Sequence, residues 1–103
     1  MKLVADTGAL LSLACSSYFN KIIDTHIIVI TPAVRIELEQ FARYSDFLGL
    51  KAREVLNKKF PIKSPREIIP LKLDEAEKEA LSLAVEDKIT FITDDVHAAR
   101  VIY

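Results

Sequence analysis

The segment Lys2-Leu3-Val4-Ala5-Asp6-Thr7-Gly8-Ala9-Leu10-Leu11 constrains the fold more than any other part of the chain. A short apolar run ends in a carboxylate and passes at once into a helical pattern. In an open parallel sheet such a junction lies at the C-terminal edge of the strands, where these folds hold their ligands. Further acids recur at later junctions of the same kind: Glu37 in Ala33-Val34-Arg35-Ile36-Glu37-Leu38, Glu77 in Leu73-Asp74-Glu75-Ala76-Glu77, and the pair Asp94 and Asp95 after Phe91-Ile92-Thr93. Brought together, they would form a metal site.

The rest of the pattern alternates strands with helices, which predicts a parallel sheet with right-handed crossovers. Strands are expected at 2–5, 26–30 and 89–93, the middle one rich in Ile and Val as a strand covered on both faces should be. Helices are expected at 9–15, capped by Thr7 or Gly8, at 18–24, and at 32–43, where Thr31 caps and Pro32 supplies a preset φ at the first position. Ser45 is the expected cap of a helix at 46–59, with Phe47, Leu48, Ala52, Val55 and Leu56 at helical spacing. Three prolines then punctuate a connector with a short strand at 67–69. Asp74 opens a helix at 75–86 with Ala76, Ala80, Leu81 and Ala84 on one stripe, and a last helix follows Asp94 or Asp95 through Arg100.

At 103 residues, half of them apolar and only two of them glycine, the chain reads as one compact domain over 1–103. No stretch approaches the roughly 20 apolar residues of a membrane span. A lipoprotein signal ending at Cys15 is excluded by Asp6 and by Thr7-Gly8, which interrupt the apolar run such a signal needs. The single cysteine cannot form an internal disulfide; it is expected as a small buried hydrophobe in a reducing, cytoplasmic setting. Charge is uneven: residues 51–72 hold seven basic and two acidic groups, and residues 73–103 three basic and eight acidic. A basic middle beside an acidic end can place phosphate-binding surface next to a cation pocket.

Several carboxylates in one pocket repel one another unless a proton or a divalent cation sits among them. Mg²⁺ or Mn²⁺ suits oxygen ligands, and two such ions would activate water and stabilise the leaving oxygen of a phosphodiester. Each acid also has a plainer role: Asp6 as a helix cap, Glu37 or Glu39 as first-turn charge, Asp74 with Glu77 as a capping box, and Asp94 or Asp95 as a cap. His26 and His97 belong to no ligand spacing. Asp6-Thr7-Gly8 also spells the aspartic-protease tripeptide, but that fold is all-β with glycine-rich flaps, and the helical patterns here exclude it.

With the acids in this order the chain resembles the PIN domain family, which includes the toxin ribonucleases of prokaryotic toxin–antitoxin pairs. Val4-Ala5-Asp6-Thr7-Gly8-Ala9-Leu10 is similar to the family's opening strand and first acid. Thr31 to Leu38 is similar to the segment of the second, Glu37, and Leu73 to Leu81 to that of the third, Glu77. In Phe91-Ile92-Thr93-Asp94-Asp95 the family's Thr-x-Asp pattern falls on Asp95, and some branches carry Asp at both positions. The resemblance implies an α/β/α sandwich around a parallel sheet and a Mg²⁺- or Mn²⁺-dependent endoribonuclease. Asp6, Glu37, Glu77 and Asp95 would be its catalytic acids and metal ligands, with Asp94 assisting and basic residues between Lys51 and Lys72 on the phosphates. It further implies RNA as substrate, an antitoxin partner and a homodimer. Such domains continue after the Asp-Asp helix with another strand, which this chain is expected to lack. The alternative is then a truncated, non-catalytic member that binds RNA or a protein.

Overall fold

The computed structural model describes residues 1–93. Its elements are β1 (Lys2–Ala5), α1 (Thr7–Ala14), α2 (Phe19–Thr25), β2 (Ile27–Val29), α3 (Pro32–Ala42), α4 (Phe47–Asn57), α5 (Glu75–Asp87) and β3 (Thr90–Ile92). The helix expected after Thr93, with Asp94, Asp95 and His97, lies outside the described residues.

The three strands form one parallel sheet in the order β2-β1-β3, flanked by helices, as expected of a sandwich of this class. β1 is central: Leu3, Val4 and Ala5 are all buried, as in a strand covered on both faces, and both its edges are paired. Val4 is level with Val29 on one side and with Phe91 on the other. The core gathers Val4, Leu10, Ile28, Val34, Leu38, Val55 and Leu83, each at 2 % exposure or less.

Local chemistry starts each helix. Thr31 caps α3, its hydroxyl accepting from the Val34 N–H, with Pro32 at the first turn. Asp74 Oδ1 accepts from Glu77 N–H at 2.9 Å and opens α5. At two helices the cap is not the expected residue. Asp46, rather than Ser45, caps α4 by accepting from Gly49 N–H at 2.8 Å, and Asp6 itself, rather than Thr7 or Gly8, caps α1 by accepting from Ala9 N–H at 2.8 Å. In both places a carboxylate takes the cap rather than a neighbouring hydroxyl; a carboxylate is the stronger acceptor and suits the helix dipole.

The α3–α4 turn is unusually close. A Cβ built on Gly49 would lie 1.9 Å from Tyr44 O and 3.0 Å from Phe41 O, so only glycine fits. Arg53 Nη1 reaches back to donate to Ala42 O at 2.8 Å and Tyr44 O at 2.9 Å, closing the end of α3. With Gly49 as the contact point, Phe47 and Leu48 stay exposed, contrary to the expected stripe, while Ala52 and Val55 are buried.

The proline-punctuated connector makes no strand at 67–69. It pairs earlier, where Ile30 N–H donates to Pro61 O and Lys63 N–H donates to Ile30 O, both at 3.0 Å, a parallel bridge between Ile30 and Ile62. Beyond it the chain is tied to α5 instead of the sheet: Arg66 N–H donates to Glu86 at 2.9 Å, Ile69 N–H to Ser82 Oγ at 2.9 Å, and Lys63 Nζ pairs with Asp87 at 2.6 Å. Cys15 is exposed just past the end of α1, not buried, because the buried stripe of that helix ends at Ala14.

Candidate active site

All three strands run parallel, so their C-terminal ends share one edge, and Asp6, Thr31 and Thr93 follow β1, β2 and β3 there. Asp6 is 2 % exposed. Its backbone N–H donates to Ile92 O at 3.2 Å, which fixes it against the end of β3. Its Oδ1 accepts from Ala9 N–H, and its Oδ2 accepts from the Thr93 hydroxyl at 2.5 Å. These bonds fix the orientation of the carboxylate at the sheet edge. Capping and site chemistry are compatible in one side chain.

Glu37 is partly buried in the second turn of α3 and makes no hydrogen bond or ion pair among the described residues. Its neighbour Glu39 is exposed and pairs with Arg35 at 3.6 Å, so it is the surface charge of the two. Glu77 is partly buried in the first turn of α5, a helix that packs on β1, β3 and α3. Because α5 leads into β3, it runs antiparallel to the strands, and its first turn lies at the same edge as Asp6. The elements carrying Asp6, Glu37 and Glu77 therefore neighbour one another. Even so, no three acidic, imidazole or thiol side chains converge as a metal cluster among the described residues. Asp94 and Asp95 lie outside them.

Two residues were not singled out from sequence. Thr93 orients Asp6, although the Thr-x-Asp pattern already contained it. Glu79 Oε1 accepts from Ala33 N–H at 3.0 Å, joining α5 to the otherwise unsatisfied start of α3. No local pattern announces a partner 46 positions away.

The basic middle is largely engaged elsewhere. Lys51 pairs with Glu54 at 3.3 Å, Arg53 closes α3, Lys63 holds Asp87, and Lys58 donates to Asn20 at 3.1 Å beside the Phe19 ring. Lys58 and His26 sit toward the start of β2, the edge opposite Asp6.

The donors near Asp6 suit a hard cation. They are carboxylate and hydroxyl oxygens, and Thr7 adds a buried hydroxyl with no hydrogen-bond partner among the described residues. An α/β domain with a buried, oriented carboxylate at the C-terminal edge of its central strand is thus the class defined by fold and site. Residues 2–102 match the family model described as PIN domain, and the chain belongs to that family. PIN domains are in general nucleases that depend on a divalent metal. No curated protein matches the chain. No helix among the described residues is long and apolar enough to cross a membrane.

Proposed function

We propose that this single-domain protein is a Mg²⁺- or Mn²⁺-dependent endoribonuclease. Asp6, Glu37, Glu77 and Asp95 act as its catalytic acids, and Asp94 joins them as a ligand. The observation that carries the reading is Asp6, a carboxylate at 2 % exposure fixed through both oxygens at the edge where open α/β sheets bind. A buried carboxylate is costly to keep charged without a cationic or hydrogen-bonded partner, and membership of the PIN domain family supplies the reason to keep it.

When bound, a divalent cation supplies Lewis acidity and lowers the pKa of a coordinated water. The chain's own part is to hold and orient. Thr93 and Ala9 N–H lock the rotamer of Asp6, and Glu79 fixes the start of α3, which carries Glu37. In this reading Glu37, partly buried and without a partner among the described residues, accepts a proton from an attacking water. RNA is the substrate in this reading, an antitoxin protein and a homodimer are its partners, and the cytoplasm its setting.

Calorimetric titration with Mg²⁺ and Mn²⁺, run in parallel on Asp6→Asn, tests the proposal. Saturable binding in the wild type that is lost in the variant is the expected result. A second reading is a non-catalytic member that binds RNA or a protein; it predicts no cation binding and RNA affinity unchanged by Asp6→Asn.

A further inference from the structure

Between α3, α4 and the outer side of β2 lies a cleft of about 260 Å³. Leu56, Phe60 and Ile62 supply accessible apolar wall over the buried Ile30, Leu38 and Val55, Arg35 and Lys59 supply positive charge, and no carboxylate is among the described lining residues. Its volume exceeds the roughly 150 Å³ of a cavity that admits benzene and falls short of the roughly 300 Å³ at which drug-sized pockets begin. That volume is enough for one ring system.

The two cations are available. Among the described residues Arg35 is held only by the exposed pair with Glu39 at 3.6 Å, an interaction of small worth in water. Lys59 has no side-chain hydrogen bond or ion pair among the described residues, unlike Lys58 beside it. An apolar peptide side chain would fill such a cleft without any need for them. A ring with an anion attached uses both the wall and the charges. The position also suits a strand that reaches the acids: Ile30 pairs with Ile62 outside β2, so the cleft floor is two strand spacings, roughly 10 Å, from the line of β1.

We infer that this cleft is a nucleobase subsite for single-stranded RNA, with one base against Phe60 and the adjoining phosphates on Arg35 and Lys59. The inference rests on the reading of the protein as an RNA hydrolase, and it adds where the strand is gripped away from the scissile bond. Aromatic stacking with a cationic rim is the usual physical basis of single-strand binding.

The test is methyl-labelled NMR of the whole chain with a short oligoribonucleotide, in chelator so that no strand is cut, alongside fluorescence anisotropy. The methyl signals of Leu56 and Ile62 are expected to shift with the oligonucleotide and not with an abasic strand of the same length. Phe60→Leu is expected to weaken binding about tenfold. Lys59→Gly is expected to lower the slope of log affinity against log salt by about 0.7; because Lys59 has φ 54, where glycine is at ease, that variant keeps the fold. Methyl signals that stay still while anisotropy saturates, or variants that bind as the wild type does, would overturn the subsite; shifts produced by an acidic apolar peptide but not by RNA would reassign the cleft to a protein. Cleavage by the wild type in Mg²⁺, scored separately, tells failure of this inference from failure of the hydrolase reading.

Discussion

Gly49→Ala sets two ordinary effects against each other, and the structure decides between them. Gly49 lies inside α4 with no positive φ, so alanine gains about 1 kcal/mol of helix propensity there. The added methyl, however, meets Tyr44 O at 1.9 Å and Tyr44 C at 2.8 Å. These are backbone atoms, which cannot rotate away as a side chain would. Overpacking of a tight site costs about 1–3 kcal/mol, and a clash with main chain belongs at the upper end. Displacing Tyr44 also loosens its bond from Arg53, which closes α3. The net loss is about 2 kcal/mol, equivalent to a fall in Tm of about 8–16 °C for a domain of this size. Calorimetry or far-UV circular dichroism of wild type and variant measures it directly. A Tm that holds or rises would mean that helix propensity wins and that the α3–α4 approach is not as close as described.

Other substitutions separate the site from the scaffold. Asp6→Asn retains an N-cap residue and is expected to unfold within about 1 kcal/mol of wild type while losing cation binding; a variant that still binds Mg²⁺ would remove Asp6 from the ligand set. Glu79→Ala leaves Ala33 N–H unpaired and is expected to lower the unfolding free energy by about 1–2 kcal/mol, read as a lower urea midpoint at unchanged m, with no change meaning that water replaces the carboxylate. Leu10→Ala empties a fully buried position and is expected to cost about 2–5 kcal/mol, whereas Lys63→Ala, which removes an exposed pair, should cost less than about 1 kcal/mol. Equal losses from these two in denaturant titrations would contradict the burial pattern.

What was legible in the sequence is what depends on neighbours along the chain. The Leu3-Val4-Ala5 run, the Thr31-Pro32 start of α3 and the Ala76, Ala80, Leu81, Ala84 stripe of α5 are local patterns, and all three lie in the structure as read. The capping of α1 by Asp6 was legible in kind but assigned to Thr7 or Gly8, because counting available caps does not rank a carboxylate above a hydroxyl. The pairing of Ile62 with Ile30, the hold of Glu79 on Ala33 and the docking of the connector onto α5 were not legible. Each joins residues far apart in sequence, and nothing in the Pro61 to Pro70 stretch distinguishes a segment that binds a sheet edge from one that binds a helix. Of the candidate acids, the edge position of Asp6 followed from the strand-to-helix switch alone, and Asp94 and Asp95 lie beyond the described residues.

The central strand has a consequence for the order in which the protein is made. Leu3 pairs with Ile28 and with Thr90, so its two neighbours lie 25 and 87 positions away. Closing the longer loop costs only about 1 kcal/mol more in chain entropy than closing the shorter, so the delay is one of timing. During synthesis β1 can pair with β2 early, but its other edge stays bare until residue 90 has left the ribosome. The bond from Thr93 that orients Asp6 spans 87 positions and forms later still. A ribosome-bound chain therefore carries Asp6 without its bonds to Ile92 and Thr93 until those residues emerge, although the local bond from Ala9 N–H can form early.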